Sequence, residues 1–429
     1  MIMKILPRSS VILISLLFLS VTSDLCAQSF AERIENDRSI AAGVYHPYVH
    51  GDLYDTPAPK GYKPFYISHF GRHGSRYHTT EAYFRHALVA LEKAAQNSAL
   101  TPEGIQLYED IKVVASAHKG MEGELSPLGG REHKAIARRM FDRFPEVFTS
   151  KSRYNIECCS STVQRCLISM ANFSQSLASC SPSLYFSFYT GQKYYDYIAK
   201  KSPCRSEISN ESKHFVDSLR HAICRYDKMY QKVFSSRTAA DSLVANPQEF
   251  IRSIYMAGCI CKDLDWLGMD IFKYFDIEEL TQQICVNSAR MYFEYGNSAE
   301  CGSRSSLASD DLLRDIVLKA DEAVSGSSLK AADLRFGHDT GLLPLLGLIG
   351  IDGMCHRMKS DKSWELWNTY DRIPMGSNLQ MVFYRNSKDD ILVKLLFNEQ
   401  ETSIPALEPY RAPYYRWNDL KSYLSGKYE

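Results

Sequence analysis

The chain has 429 residues, 45% of them hydrophobic, enough apolar material for a large core built as two domains or as one domain with a big insertion. Its 50 basic and 50 acidic residues cancel, so no global field draws in nucleic acid or an anionic membrane surface. Any recognition of an anion has to be local.

At the N-terminus, Lys4 and Arg8 precede the apolar run 11–19, and Leu25-Cys26-Ala27 stands before Gln28. This is the charged, apolar and small-residue order of a secretory signal cut after Ala27, and the run is short for a membrane span. Residues 1–27 are therefore expected to be a signal peptide. The mature chain would be periplasmic or secreted, without a membrane anchor. The twelve cysteines include no Cys-x-x-Cys pair, and Cys158-Cys159 and Cys259-Ile260-Cys261 are poor metal spacings. They read as buried thiols or as bridges that spacing cannot assign.

Residues 51–63, rich in Pro, Gly and Asp, read as an irregular approach to a short strand at 65–68. Just beyond it comes Arg72-His73-Gly74-Ser75-Arg76. Phe84, Leu88, Leu91 and Ala94 have helical spacing, which predicts a helix over 82–96. Ser126-Pro127 is a cap followed by a first-turn proline, opening a helix that runs to Phe141. On it Arg131, Lys134, Arg138 and Arg139 read as a solvated face. A strand at 154–158 leads through Ser160-Ser161-Thr162-Val163-Gln164-Arg165 into another helix.

From about 207 to 323 the pattern is helical, with helices expected at 214–234, 247–264 and 277–295. Strand character returns at 332–336, followed by Gly337-His338-Asp339-Thr340 and the apolar helix 341–349. The runs 379–384 and 391–396 flank Ser387-Lys388-Asp389-Asp390 as a hairpin. Strand–helix alternation interrupted by a helical block predicts an α/β domain, residues 28–175 and 325–429, with an inserted α-helical cap over 176–324.

Three stretches thus bring charged or titratable residues to the ends of predicted strands. In open α/β sheets ligands sit outside the carboxyl ends of strands, where helix N-termini point N–H groups at anions. Adjacent strands would deliver Arg72, Arg76, Arg165, His73, His338 and Asp339 to one pocket. Three guanidiniums in a small volume call for an anion, and their planar forks suit phosphate oxygens. The same arginines keep the His73 ring neutral, so it can attack phosphorus and form a phosphohistidine. Asp339 then protonates the leaving oxygen and afterwards deprotonates the attacking water. The arginines stabilise the charge, so the scheme needs no metal and no other cofactor. His69 and His78 receive no role.

Arg72-His73-Gly74-Ser75-Arg76 arises by chance on the order of once per thousand chains of this size at average residue usage. Together with His338-Asp339 it is similar to the signatures of the histidine acid phosphatases, branch 2 of the histidine phosphatase superfamily. The family includes phytases and multiple inositol polyphosphate phosphatases; Tyr77 leans the resemblance towards the latter, and the stretches 125–130 and 161–165 and the segment 378–385 with 396–399 are further matches to the family. The latter often carry His-Ala-Glu where this chain has His338-Asp339-Thr340, which bears on positional preference among phosphates.

The resemblance implies a phosphoglycerate-mutase-like α/β sandwich with an α-helical cap. It implies His73 as nucleophile, Asp339 as proton donor, and Arg72, Arg76, Arg165 and His338 as ligands of the scissile phosphate. The implied activity is an exported phosphomonoester hydrolase acting on inositol polyphosphates or other small phosphate esters. Alternatives are a broad acid or sugar-phosphate phosphatase, a non-hydrolytic phosphotransferase or mutase, and a phosphate-ester binding protein.

Overall fold

The computed structural model describes residues 29–428, so the expected signal peptide lies outside the described residues. One mixed sheet organises the chain. Its strands are β1 (Lys63–Arg72), β2 (Asn155–Ser160), β3 (Tyr185–Tyr189), β4 (Lys330–Gly337), β5 (Asn378–Arg385), β6 (Ile391–Phe397), β7 (Gln400–Thr402) and β8 (Tyr414–Arg416). Their order is β3-β2-β4-β1-β5-β6-β7, with β8 also paired to β6. The strands β3, β2, β4 and β1 run parallel, and β5 and β6 continue the sheet antiparallel.

β1 is longer than the expected 65–68, because ladders on both sides, to β4 and to β5, hold it extended as far as Arg72. The signature therefore begins inside the strand. β3 lies within the segment expected to be cap, yet it pairs in parallel with β2 and extends the sheet.

The long helices are α1 (Arg85–Gln96), α2 (Pro102–His118), α3 (Pro127–Arg143), α4 (Gln164–Cys180), α5 (Arg205–Ile223), α6 (Asp227–Val233), α7 (Pro247–Asp263), α8 (Ile277–Tyr295), α9 (Asp310–Ser325), α10 (Asp339–Ile349) and α11 (Trp417–Ser425). Alternate residues of the strands serve two apolar layers. Leu379, Met381 and Phe383 of β5 join one, and Val382 and Tyr384 join the other. The second layer is closed by Ile136 and Met140 of α3 and by Phe173 and Leu177 of α4. The first takes in α9, α10 and α11 and runs on without a break into the helical block of α1, α2, α7 and α8. The result is the α/β sandwich with a helical part that the sequence implies, except that α1 and α2 are helices from before the inserted segment.

The helix expected at 214–234 is broken at residues 224–226 into α5 and α6. Glu279 of α8 supplies the reason. Its buried carboxylate accepts the Lys228 and Met229 backbone N–H groups at 2.8 and 3.0 Å, capping a helix that starts there. Among the described residues no helix is long and apolar enough to cross a membrane. All eleven described cysteines are free thiols.

Candidate active site

The pocket forms where β1 and β4 lie side by side and end together. Arg72 is in register with Gly337, and the His73 N–H donates to the Gly337 carbonyl at 2.9 Å. This pairing puts the residues after β1 next to those after β4. β2 ends on the other side of β4, where the Ser161 N–H donates to the Phe336 carbonyl at 3.1 Å. Three strand ends meet, and all six residues singled out in the sequence come together.

Arg72 is completely buried. Its Nη1 donates to the carbonyls of Val44 and Ile373, both at 2.7 Å, and its Nη2 stands 3.0 Å from Asp339 Oδ2. The guanidinium is fixed by backbone carbonyls through Nη1 and faces Asp339 through Nη2. Arg76 lies over the ring of Tyr45, 5.6 Å from its centroid, and donates to its neighbour's carbonyl. Arg165 enters from the first turn of α4, with Nη1 on the Gly123 carbonyl at 3.3 Å and Nη2 3.5 Å from His338 Nδ1. The Nε atoms of all three arginines are buried without an acceptor.

The His73 ring is oriented by its own loop. Nδ1 lies 2.9 Å from the Gly74 carbonyl, which only accepts, so the proton sits on Nδ1 and Nε2 carries the lone pair. Burial lowers the His73 pKa most, followed by Arg165, Arg72 and Arg76. The order differs from the sequence expectation, which gave the arginines the leading part. The ring of His338 stands across from it, centroids 5.6 Å apart. His338 Nε2 is 3.1 Å from Ser161 Oγ, and its pKa is also lowered, by burial and then by Arg165.

Asp339 is the first residue of α10, and its Oδ1 accepts the Thr340 N–H at 2.8 Å; the capping position itself belongs to His338. Burial raises its pKa, but Arg72 and then Arg76 outweigh burial, so the carboxylate stays ionised below the usual range. The protonated form expected from the sequence thus requires an anion that competes for those arginines.

A supporting layer of side chains lies behind the loop. Glu132 of α3 is buried and accepts the Ser75 N–H at 2.7 Å, the Ser75 hydroxyl at 2.8 Å and the Tyr48 N–H at 2.7 Å. Ser169 Oγ accepts the Gly74 N–H at 3.2 Å. Asp263, at the end of α7, is fully buried with both oxygens unpaired, and burial and then Glu132 push its pKa well above the ordinary carboxylate value. The only signal for Glu132 was its position on the apolar stripe of Ile136 and Met140. Of the arginines read as a solvated face, Arg139 instead pairs at 2.6 Å with Glu399, a fully buried carboxylate. His69 and His78 are packing residues: His69 lies against Phe173 and Phe336, and His78 bonds the Met256 carbonyl at 2.8 Å.

Beside Arg165, His338 and Thr340 opens a cavity of about 370 Å³ also lined by Lys200, Lys201 and Arg205. Among the described residues no cluster of three or more His, Cys, Asp or Glu side chains is placed to hold a metal ion.

The family model of the histidine phosphatase superfamily (branch 2) matches residues 71–398. Multiple inositol polyphosphate phosphatase 1 of Gallus gallus is 24% identical over 383 residues, covering 80% of this chain and 78% of its own. The structure of the Bifidobacterium longum multiple inositol polyphosphate phosphatase in complex with inositol hexasulfate is similar with a TM-score of 0.72 at 18% identity, over 91% of this chain and 98% of that one. The phytase from D. castellii gives a TM-score of 0.68 at 15% identity, over 91% and 85% of the two chains.

Proposed function

Because the chain belongs to branch 2 of the histidine phosphatase superfamily, we propose that this phosphatase is an exported phosphomonoester hydrolase that works without a metal, through a phosphohistidine at His73, on inositol polyphosphates. The observation that carries the reading is the His73 tautomer. With Nδ1–H held by the Gly74 carbonyl, the Nε2 lone pair of a neutral ring is available beside three guanidiniums.

In this reading the scissile phosphate lies among Arg72, Arg76, Arg165 and His338, which hold its oxygens in line and neutralise the charge that develops. The phosphate draws Arg72 away from Asp339, so the carboxyl's proton affinity rises and it takes up a proton. His73 Nε2 forms a bond to phosphorus, the ester P–O bond breaks, and Asp339 gives its proton to the leaving oxygen. Water then attacks the phosphohistidine and returns a proton to Asp339. The P–N bond breaks, and inorganic phosphate leaves with His73 neutral again. The helical block that follows β3 acts as a cap over the pocket. Its Lys200, Lys201 and Arg205, beside Arg165 and His338, supply positive charge suited to a substrate carrying several phosphates.

The test is phosphate release by the purified protein from inositol hexakisphosphate, a sugar phosphate and an aryl phosphate, with and without a chelator. We expect chelator-resistant hydrolysis with inositol hexakisphosphate among the good substrates. His73→Ala should abolish both turnover and the acid-labile phosphoenzyme. Asp339→Asn should slow alkyl esters by about 10²–10⁴-fold, the range for general acid catalysis, and spare activated aryl esters. Transfer between sugar phosphates without hydrolysis, or binding without turnover, defeats the reading.

A further inference from the structure

Ser161 and Cys166 flank the turn that carries Arg165, and the catalytic scheme uses neither. Both are completely buried, and neither lines the cavity beside Arg165 and His338. Their side chains instead meet the His338 ring. Ser161 Oγ stands 3.1 Å from Nε2, and Cys166 Sγ stands 3.6 Å from Nε2 and 3.9 Å from Nδ1. Arg165 Nη2 is on the Nδ1 side, at 3.5 Å. Three residues of the stretch 161–166 thus bracket the ring.

The bonds at the two ends of this group can run in only one direction. A guanidinium only donates, so Nδ1 accepts from Arg165 and the proton of the neutral ring sits on Nε2. Nε2–H then donates to Ser161 Oγ, which also accepts the Val163 N–H at 3.4 Å and so uses both lone pairs. At the other end a carbonyl only accepts, so the Cys166 S–H donates to Gly337 at 3.2 Å. Burial pushes the thiol's pKa up to about 11, and the Ser161 hydroxyl, which gives its own proton to the sulfur, opposes that rise. The same Gly337 carbonyl accepts the His73 N–H at 2.9 Å. One chain of donors therefore runs from the His338 ring through Ser161 and Cys166 to the strand end that holds His73.

We propose that Ser161 and Cys166 are positioning residues for His338: together they fix its ring plane and keep its proton on Nε2, so that Nδ1 meets the phosphate that Arg165 binds. The proposal rests on the phosphohydrolase reading above. A phosphate oxygen that reaches Arg165 Nη2 arrives beside Nδ1, where lone pair against lone pair is repulsive unless a proton lies between them. The contact is made through one shared proton, carried in by a monoanionic ester or taken up by the ring, while Nε2–H stays on Ser161. The ring can hold that extra proton because its other N–H already has an acceptor.

The ring nitrogens report this directly. In full-length, ligand-free protein carrying ¹⁵N-histidine, long-range ¹H–¹⁵N spectra at neutral pH should show His338 with a protonated Nε2 and a lone pair on Nδ1. His338→Gln identifies the signals by their loss. A proton on Nδ1 overturns the proposal, and this measurement needs no change at 161 or 166, so it decides even where a variant does not fold. Ser161→Ala should mix the two tautomers and weaken inorganic phosphate binding by about ten-fold, the scale of one lost charge-assisted hydrogen bond. Cys166→Ala should weaken it comparably, and Cys166→Ser, which keeps a donor for the Gly337 carbonyl, should recover most of the loss. An unchanged spectrum and affinity in Ser161→Ala overturns the role of Ser161. Cys166→Ser as weak as Cys166→Ala overturns the role of the S–H bond. Phosphate binding with this pattern, in a protein that hydrolyses no ester, sinks the hydrolase reading and leaves the positioning of His338 standing.

Discussion

His73 combines two conditions that oppose each other in water: it is close to cations and it has to remain a nucleophile. Burial resolves the conflict. A desolvated ring surrounded by Arg165, Arg72 and Arg76 is penalised for protonating, so its pKa lies well below 6.5. A depressed pKa means the neutral form persists as pH falls, until pH passes through the lowered value. In histidine-labelled protein, the His73 ring ¹³C resonance should therefore not move between about pH 7.5 and 5.5, where an ordinary imidazole titrates. His73→Gln identifies the signal by its loss. A midpoint near 6.5 would show that the arginines and burial leave the ring unperturbed. Asp339 shows the reverse situation, since ligand-free Arg72 holds it ionised. At this scale the sequence was informative, because Arg72, His73 and Arg76 are neighbours on one strand end. Glu132 carries no such local mark, since its partner Ser75 is 57 residues away.

Among the elements, the contact between the loop after β1 and the start of α3 is the tightest in the site. The Ser75 carbonyl accepts from the Ser126 N–H at 2.9 Å and the Ser126 hydroxyl at 3.1 Å. A Cβ on Gly129 would meet that carbonyl oxygen at 2.2 Å, and a Cβ on Gly74 would meet the Gly129 oxygen at 2.6 Å. Two glycines are needed for backbone to lie on backbone here. Gly129→Ala forces the loop and the helix apart, with an expected cost of about 1–3 kcal/mol, the range for overpacking. The denaturant midpoint should fall, and kcat should fall with it, because the displaced loop carries His73. An alanine variant with an unchanged midpoint shows that the two elements are not in contact. Ser126 as cap and Pro127 as first residue of α3 were legible, since capping is local chemistry. The break between α5 and α6 was not: no Pro or Gly marks it, and the carboxylate that caps α6 comes from α8.

For the molecule as a whole, one apolar layer runs from Phe70 and Leu379 of the sheet to Met229, Ile254 and Leu280 of the helical block. Sheet and block share a core, so neither can lose it without exposing the other's apolar surface. Far-UV circular dichroism and tryptophan fluorescence should report one thermal transition at the same midpoint. Two separated transitions would mark the block as a unit folding by itself. The shared core also brings α1 and α2, from residues 85–118, onto a block that the helical pattern placed wholly after 176. By itself the sequence determined the family, the alternation of strands and helices and the six residues at three strand ends, because each of these is written in spacings of a few residues. Only the tertiary structure decided that those strand ends are adjacent, which tautomer His73 adopts, which carboxylates support the loop, and which side chains bracket the His338 ring. These depend on groups far apart in the chain meeting out of water, where burial and distance set the energies and local spacing carries no information about either.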